Sequence, residues 1–376
     1  METVSITQCE TYQYQEVEKA LFGCLNHLVI KDRINSGARV LVKVNLLKGN
    51  VPEDAVTTHP AVVEAIVRYL QGLGCRVVIG DSPSGPFIQK RLTDIYQVTG
   101  MTAVAEKTGC ELNYDTLAVP IVNEKARKLK YMQMIKIAKD VDCIVSVAKL
   151  KTHQMMLYTG AVKNLFGVIP GLTKSKYHLK MNTVENFAHH LLDICEYIQP
   201  VFTVIDAIEG MEGDGPSAGQ KRHVGLIMAS ENPYALDTAA VHIIGVNPFR
   251  VPTVKIAMER GLFSGLLTDL TVKGIQLEEI RIPPFKLPSS VSESFLSYLI
   301  PKFIREFLVN TFRAIPIFHY DICISCGECA RGCPAGIIDM SSGKPVPDLS
   351  QCLSCFCCHE MCPKKAIDIK KRWYLW

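Results

Sequence analysis

Nine of the fifteen cysteines crowd between Cys323 and Cys362. Cys323, Cys326, Cys329 and Cys333 are spaced C-x2-C-x2-C-x3-C, with Pro334 next. Cys352, Cys355, Cys358 and Cys362 repeat that spacing 29 residues later, with Pro363 next. The repeat runs on past the cysteines, since Ala335-Gly336-Ile337-Ile338-Asp339 answers Lys364-Lys365-Ala366-Ile367-Asp368. Three thiolates on one tight loop suit three irons of a 4Fe–4S cubane. The fourth, displaced by the turn at the proline, reaches the other cluster. The spacing therefore predicts two 4Fe–4S clusters. Cys323, Cys326, Cys329 and Cys362 serve one, and Cys352, Cys355, Cys358 and Cys333 serve the other. Cys357 falls outside the pattern and is expected not to be a ligand. Structural zinc is the competing use of so many thiols, but its usual spacing pairs two C-x2-C knuckles across a long gap.

Over about residues 319–370 this pattern resembles the bacterial two-cluster ferredoxin module. So small a unit buries little apolar surface. The clusters are expected to be its core, and removing iron to unfold it. The other six cysteines, Cys9, Cys24, Cys75, Cys110, Cys143 and Cys195, are scattered and read as small hydrophobic residues.

A second set of chemical residues follows a series of short apolar runs. Asn45-Leu46-Leu47-Lys48-Gly49 comes after the run Arg39–Val44, and Gly80-Asp81-Ser82-Pro83-Ser84-Gly85 after Cys75–Ile79. Lys149-Leu150-Lys151-Thr152-His153 follows Cys143–Val147. Asp206 to Gly215 follows Phe202–Ile205, and Ser230-Glu231-Asn232-Pro233 follows Val224–Met228. In open α/β sheets the ligand crevice lies outside the carboxyl ends of the strands. The candidate catalytic residues are therefore His153, Lys151, Lys163, Asp81 and Glu212, with Lys149, Asn164 and Ser82 as candidate anion-binding residues. Each has a plainer use. Asp81 and Ser82 suit a helix cap. The stretch Thr159–Gly167 is either an anion-binding nest or the plain start of a helix. Glu209, Glu212 and Asp214 either hold a hard cation, move protons or sit as solvated turn acids. His189 and His190 lie in a helical pattern and read as structural.

The elements that must position these residues read as α/β. The runs lack polar alternation, which indicates strands covered on both faces in a mostly parallel sheet. Val62, Val63, Ile66, Val67 and Leu70 form a helical stripe between two of them. Strand–helix–strand order at this spacing defines the class. The expected organisation is an α/β domain over residues 1–282, a linker with an amphipathic helix over 283–318, and a small ferredoxin-like α+β domain over 319–376. In the linker, Phe303, Ile304, Phe307, Leu308 and Phe312 would form one helix face that docks the two domains together, the competing use being a helix lying at a membrane surface. No G-x-G-x-x-G follows a strand, and no G-x4-G-K-[ST] or H-E-x-x-H occurs.

GDSPSG, KLKTH, TGAVKNLFG, IEGMEGDGP and SENPYALD, in this order, resemble the domain-of-unknown-function family three-sixty-two over about residues 38–250. The resemblance implies a prokaryotic protein in which that domain is fused to a two-cluster ferredoxin module. It supplies no substrate.

The remaining bounds come from composition. Apolar residues make up 48%, enough for a buried core, and a net charge of +4 is too small to argue for nucleic acid or an anionic membrane. The N-terminal stretch has no apolar signal region and no apolar run reaches 18 residues, so a cytoplasmic protein is expected, with no case for membrane association. The expected function is a metal-binding, electron-transfer oxidoreductase, its clusters exchanging electrons with an anionic small molecule in the crevice and with a redox partner protein. The alternative is a non-catalytic electron-transfer or cofactor-maturation protein; a non-redox enzyme with a redox-sensing module is the third. Two cubanes require about eight iron and eight sulfide per chain. Anaerobic metal analysis finding zinc, or half that iron, would overturn the assignment.

Overall fold

The computed structural model describes residues 1–181, 183–290 and 314–371. The connector helix expected over residues 301–313 lies outside the described residues. The elements of the body, in chain order, are β1 (Glu2–Gln8), α1 (Tyr14–Leu25), β2 (Arg39–Lys43), α2 (Pro60–Gly72), β3 (Arg76–Gly80), α3 (Gln89–Val98), α4 (Met101–Thr108) and β4 (Glu111–Leu112). Next come the hairpin β5 (Ala118–Val122) and β6 (Tyr131–Ile135), then α5 (Ile137–Asp140), β7 (Cys143–His153), β8 (Leu157–Thr159), α6 (Ala161–Asn164), α7 (Thr173–Lys180) and α8 (Val184–Ile198). The body closes with β9 (Thr203–Glu212), β10 (Gln220–Ser230), α9 (Pro233–Ile243), α10 (Pro252–Glu259) and β11 (Leu270–Gly274).

The main sheet has the order β11-β1-β10-β9-β7-β2-β3-β4, with β8 added to β7. β9, β7, β2, β3 and β4 pair in parallel, while β10 runs against both its neighbours. Helices cover both faces. On β2, Val40 and Val42 pack into a core with Val17 of α1 and Val63 of α2, whereas Leu41 packs into a second core with Phe187 of α8 and Leu236 of α9. Two apolar faces are why the strands show no polar alternation. Period two also puts Lys43 on the face of Leu41, so a lysine ends up fully buried among helices.

Two strands are longer than their apolar runs. Lys149, Lys151 and His153 lie on β7 itself, and Glu209 and Glu212 lie on β9 rather than in a glycine-rich loop. Cross-strand pairing continues through both polar stretches. Because β10 runs in the opposite sense, Ser230 pairs with Thr203 at the start of β9. The Ser230–Pro233 turn therefore sits at the far edge of the sheet, away from the other four strand ends.

The small domain is α+β. Its strands Ala314–Phe318 and Ile367–Lys371 pair antiparallel, so its sheet begins inside the 283–318 stretch expected to be linker. Helices Glu328–Gly332 and Cys357–Met361 follow the two cysteine loops. The duplication is visible in the backbone. Left-handed residues recur 29 positions apart at Ser325 and Ser354, Gly327 and Phe356, and Gly336 and Lys365. Glycine adopts that conformation freely, but Phe356 does so against a penalty of roughly 1–2 kcal/mol. Its ring compensates by being buried with Ala314 and Ile369 against Met155 of the body. Phe356→Gly should therefore relieve the backbone but remove about 3 kcal/mol or more of packing. Iron content should hold while amide exchange at Met155 and Ile369 speeds up. Unchanged exchange there would show that Phe356 does not dock the two domains.

Candidate functional site

The ends of β2, β3 and β7 and the segment Thr159–Lys174 surround a cavity of about 70 Å3. Its lining includes Lys43, Asn45, Asp81, Ser82, Lys151, Lys163, Asn164, Lys174 and His178. Cys357, Glu360 and Met361 of the small domain complete the wall.

Each lysine is held for a reason. Lys43 Nζ lies 2.8 Å from Asp81 Oδ1, a pair almost without solvent exposure, and also donates to the Val44 carbonyl at 2.6 Å. Asp81 accepts from the Leu46 amide at 2.8 Å, so it does not cap a helix. Lys151 Nζ donates to Asn45 Oδ1 and the Val56 carbonyl, both at 2.7 Å. Lys174 Nζ donates to the Ser82 and Ile169 carbonyls at 2.6 and 2.5 Å, and to Ser82 Oγ at 3.2 Å. Ser82 Oγ also accepts from the Gly171 amide. Lys163 makes no hydrogen bond or ion pair to any described residue. Burial lowers the affinity of all four for protons, and takes Lys174 down to about 7.

The short helix α6 carries Lys163 and Asn164. The amides of Ala161 and Val162 donate to Asp237 of α9 at 2.6 and 3.0 Å, so they are not available as an anion nest. Burial raises Asp237 to about 6, against those amides and the Tyr158 hydroxyl. Asn164 Nδ2 then donates to the Lys43 carbonyl and to Ser146 Oγ, which ties α6 to the sheet.

His153 stands behind this wall. Its Nδ1 accepts from the amides of Met155 and Met156, at 3.1 and 3.3 Å, which leaves the ring proton on Nε2. Nε2 lies 3.1 Å from Glu360 Oε1 of the small domain. Burial lowers His153 to about 4, so the ring is neutral near pH 7. Burial works against the Glu360 charge, but the His153 contact and the nearby Lys163 ammonium outweigh it and hold its carboxyl below the ordinary range. His178 is also buried, is pushed down to about 3, and has an unpartnered Nδ1.

Two expected members are elsewhere. Lys149 is spent on Asp206 at 2.9 Å and the Tyr12 hydroxyl at 2.7 Å, in a separate buried cluster beside His59. A register shift in the ladder between Lys149 and Lys151 separates the two. Glu212 accepts from the Lys286 amide at 3.0 Å and faces Arg222, so it secures the chain leaving the body. Lys43, Lys174, His178 and Glu360 were not singled out by the sequence. A lysine inside the run RVLVKV is the one signal that pointed to any of them.

The thiols form two further groups. One pocket is lined by Cys323, Cys326, Cys329 and Cys362, and the other by Cys333, Cys352, Cys355 and Cys358. Each draws three cysteines from one repeat and one from the other, and neither includes Cys357. The Ser325, Ser354 and Ala366 amides point at Cys323, Cys352 and Cys362 sulfur, at 3.4, 3.4 and 3.2 Å, which favours thiolates. Among the described residues no three His, Cys, Asp or Glu side chains gather closely enough for a single metal ion. The sulfurs instead ring a space, which fits a cluster better than a zinc ion bound at about 2.3 Å from each sulfur.

The small domain is fastened at the cavity. Lys48 Nζ donates to the Cys362 carbonyl at 2.8 Å and Ser217 Oγ to the Glu360 carbonyl at 3.2 Å. Ser289 Oγ donates to the Ile369 carbonyl at 2.8 Å.

A mostly parallel α/β body joined to a ferredoxin-type domain that binds 4Fe–4S clusters defines an iron–sulfur protein of the electron-transfer class, and residues 315–363 match the 4Fe–4S dicluster domain. Residues 40–242 match the domain of unknown function DUF362, and the chain belongs to that family. A thylakoid-associated protein of Synechocystis sp. is 30% identical over 325 residues, covering 81% of this chain and 97% of that protein. Among solved structures, the lactate racemase apoprotein from Thermoanaerobacterium thermosaccharolyticum aligns with a TM-score of 0.41 at 11% identity, over 65% of this chain and 57% of that one. A Thermotoga maritima protein aligns with a TM-score of 0.35 at 10% identity, over 60% and 56%. Both likenesses span little more than half of the matched chains and carry no argument about chemistry. No helix among the described residues is long and apolar enough to cross a membrane.

Gly167 is the tightest point of the lining, because a side-chain carbon there would run into Asp81 and Lys43. Breaking a buried ion pair costs roughly 3–5 kcal/mol. Gly167→Ala should lower the thermal midpoint sharply, whereas Gly72→Ala, with open space around it, should not. Equal midpoints for the two variants would mean that the Lys43–Asp81 pair does not support the site.

Proposed function

We propose that this protein is an iron–sulfur redox enzyme in which two 4Fe–4S clusters exchange electrons with an anionic small molecule held in the cavity. One observation carries the reading. Helix Cys357–Met361 belongs to the cluster-binding loop and to the cavity wall at once. Cys357, Glu360 and Met361 line the cavity, and the cluster cysteines Cys358 and Cys362 are their immediate neighbours in sequence. A 4Fe–4S cluster, when bound, supplies or takes up one electron at a time.

The other steps belong to the chain. Lys151 and Lys163 attract the anion; Ser82 and Asn164 hold the lysines Lys174 and Lys43 beside it. Asp81 keeps Lys43 in place. His153 Nε2 lies 3.1 Å from Glu360 Oε1 and keeps that carboxylate at the cavity wall. Leu47, Phe166 and Met361 exclude water. On the outer side Cys326 is exposed, which is where a redox partner protein would approach. Free thiols in this number suit a reducing compartment, so the reading includes a cytoplasmic location.

The test begins with anaerobic purification and mass-spectrometric identification of the small molecule that accompanies the protein. Adding it to the reduced protein should alter the cluster EPR signals and reoxidise them. Lys151→Ala should weaken its binding tenfold or more with the iron content and EPR of the free protein unchanged. Signals that stay constant at saturating ligand would remove the redox enzyme and leave a non-catalytic electron-transfer or cofactor-maturation protein.

A further inference from the structure

The charge and size of the cavity say more about its occupant than that it is an anion. Four lysines line it, Lys43, Lys151, Lys163 and Lys174, against two carboxylates, Asp81 and Glu360. The nearby imidazoles of His153 and His178 are neutral, since burial pushes both well below 6. The lining thus carries two more lysines than carboxylates.

The lysines differ in what they can still bind. Lys43 is neutralised by Asp81. Lys151 and Lys174 donate to fixed amide, hydroxyl and carbonyl oxygens, which orient the ammonium groups without cancelling their charge. Lys163 has no partner among the described residues, and His178 lines the same space with an unpartnered Nδ1. Ammonium groups drawn out of water without counter-charge are costly. A ligand carrying two negative charges offsets more of that cost than one carrying a single charge.

Size sets the other limit. At roughly 10–15 Å3 per water, about 70 Å3 of space holds roughly five to seven waters. That is the bulk of a phosphate ion or a short dicarboxylate, and far less than a nucleotide or a flavin.

We infer that the cavity is a site for a small oxyanion dianion, of phosphate or short-dicarboxylate size, seated on Lys151, Lys163 and Lys174 with the Cys357–Met361 helix as its cluster-side wall. The inference rests on the anion-binding part of the proposed function and narrows its substrate class. Asn164 and Ser82 hold the cationic side of the site in register, and Cys357 is the thiol that faces the ligand from the cluster domain.

Cluster-loaded protein is titrated anaerobically by calorimetry with malonate, inorganic phosphate, acetate and adenosine diphosphate. Malonate or phosphate should bind at least tenfold more tightly than acetate. Adenosine diphosphate should bind more weakly than either. Lys163→Gln should lower the affinity for the preferred dianion at least tenfold and shrink its advantage over acetate, with unchanged iron content and cluster absorbance. Preference for malonate over phosphate would point to a dicarboxylate ligand, and the reverse to a phosphate or phosphate-like one; either supports the dianion. Acetate binding as well as malonate and phosphate, or adenosine diphosphate binding more tightly, overturns it. If no anion binds at all, the anion-binding reading falls with it. Dianion binding that leaves the cluster EPR untouched supports the inference and removes only the redox part of the proposed function.

Discussion

Burying ammonium groups is the constraint around which this site is arranged. A charge leaves water only where other groups replace its hydration. Lys43, Lys151 and Lys174 find those groups in Asp81, Asn45, Ser82 and the carbonyls of Val44, Val56 and Ile169. The consequences spread outward. Gly167 must be glycine because the Lys43–Asp81 pair fills the space beside it. Gly160 must lack a side chain because Asp237 and Tyr158 close over it to hold the start of α6. Asp237 is itself a buried carboxylate whose partners are the two amides that place Lys163 at the cavity. Much of the polar interior on this side of the sheet thus serves to keep a few cations around one cavity.

The same constraint gives the cluster domain a second role. A cavity made only from strand ends would be open to water along one side, and its charges would be screened. Helix Cys357–Met361 closes that side and brings Glu360 to the His153 imidazole. The interface is polar where it meets the cavity, through Lys48, Ser217 and the His153–Glu360 contact, and apolar where Phe356 packs with Met155. The cavity wall and the thiol pockets are then separated by one or two residues of backbone, Cys357 lining the first and Cys358 the second. The duplicated half-module explains how this arises. Glu328 of the first repeat corresponds to Cys357 of the second, and Gly327 to Phe356. The first repeat keeps a polar residue and a glycine at positions that the second uses for docking and for the cavity wall.

The sequence by itself determined the α/β class, the way the cysteines group into two sets of four and the end of the sheet at which the polar residues gather. Cysteine spacing is a local constraint, because a loop of x2 intervals can face only one cluster and the residue after the turn faces away. The crosswise sharing of Cys333 and Cys362 follows from that geometry, and the two pockets reproduce it. Asp81, Ser82, Lys151, Lys163 and Asn164 were legible for a related reason, since parallel strands must end on one edge. Tertiary structure alone decided the rest. Whether a strand stops at its last apolar residue or runs on through KLKTH depends on pairing with its neighbours, which no local pattern encodes. That pairing sent Lys149 to Asp206 and Lys151 to the cavity although they are two residues apart. The direction of β10, which removed Ser230–Pro233 from the site, is likewise a property of the whole sheet. Glu360 and Cys357 join the site across more than 190 residues of chain from Lys163, counting from position 163 to 357. Contacts at such separation come from the packing of two domains, and packing depends on complementary surfaces rather than on the order of residues in either one.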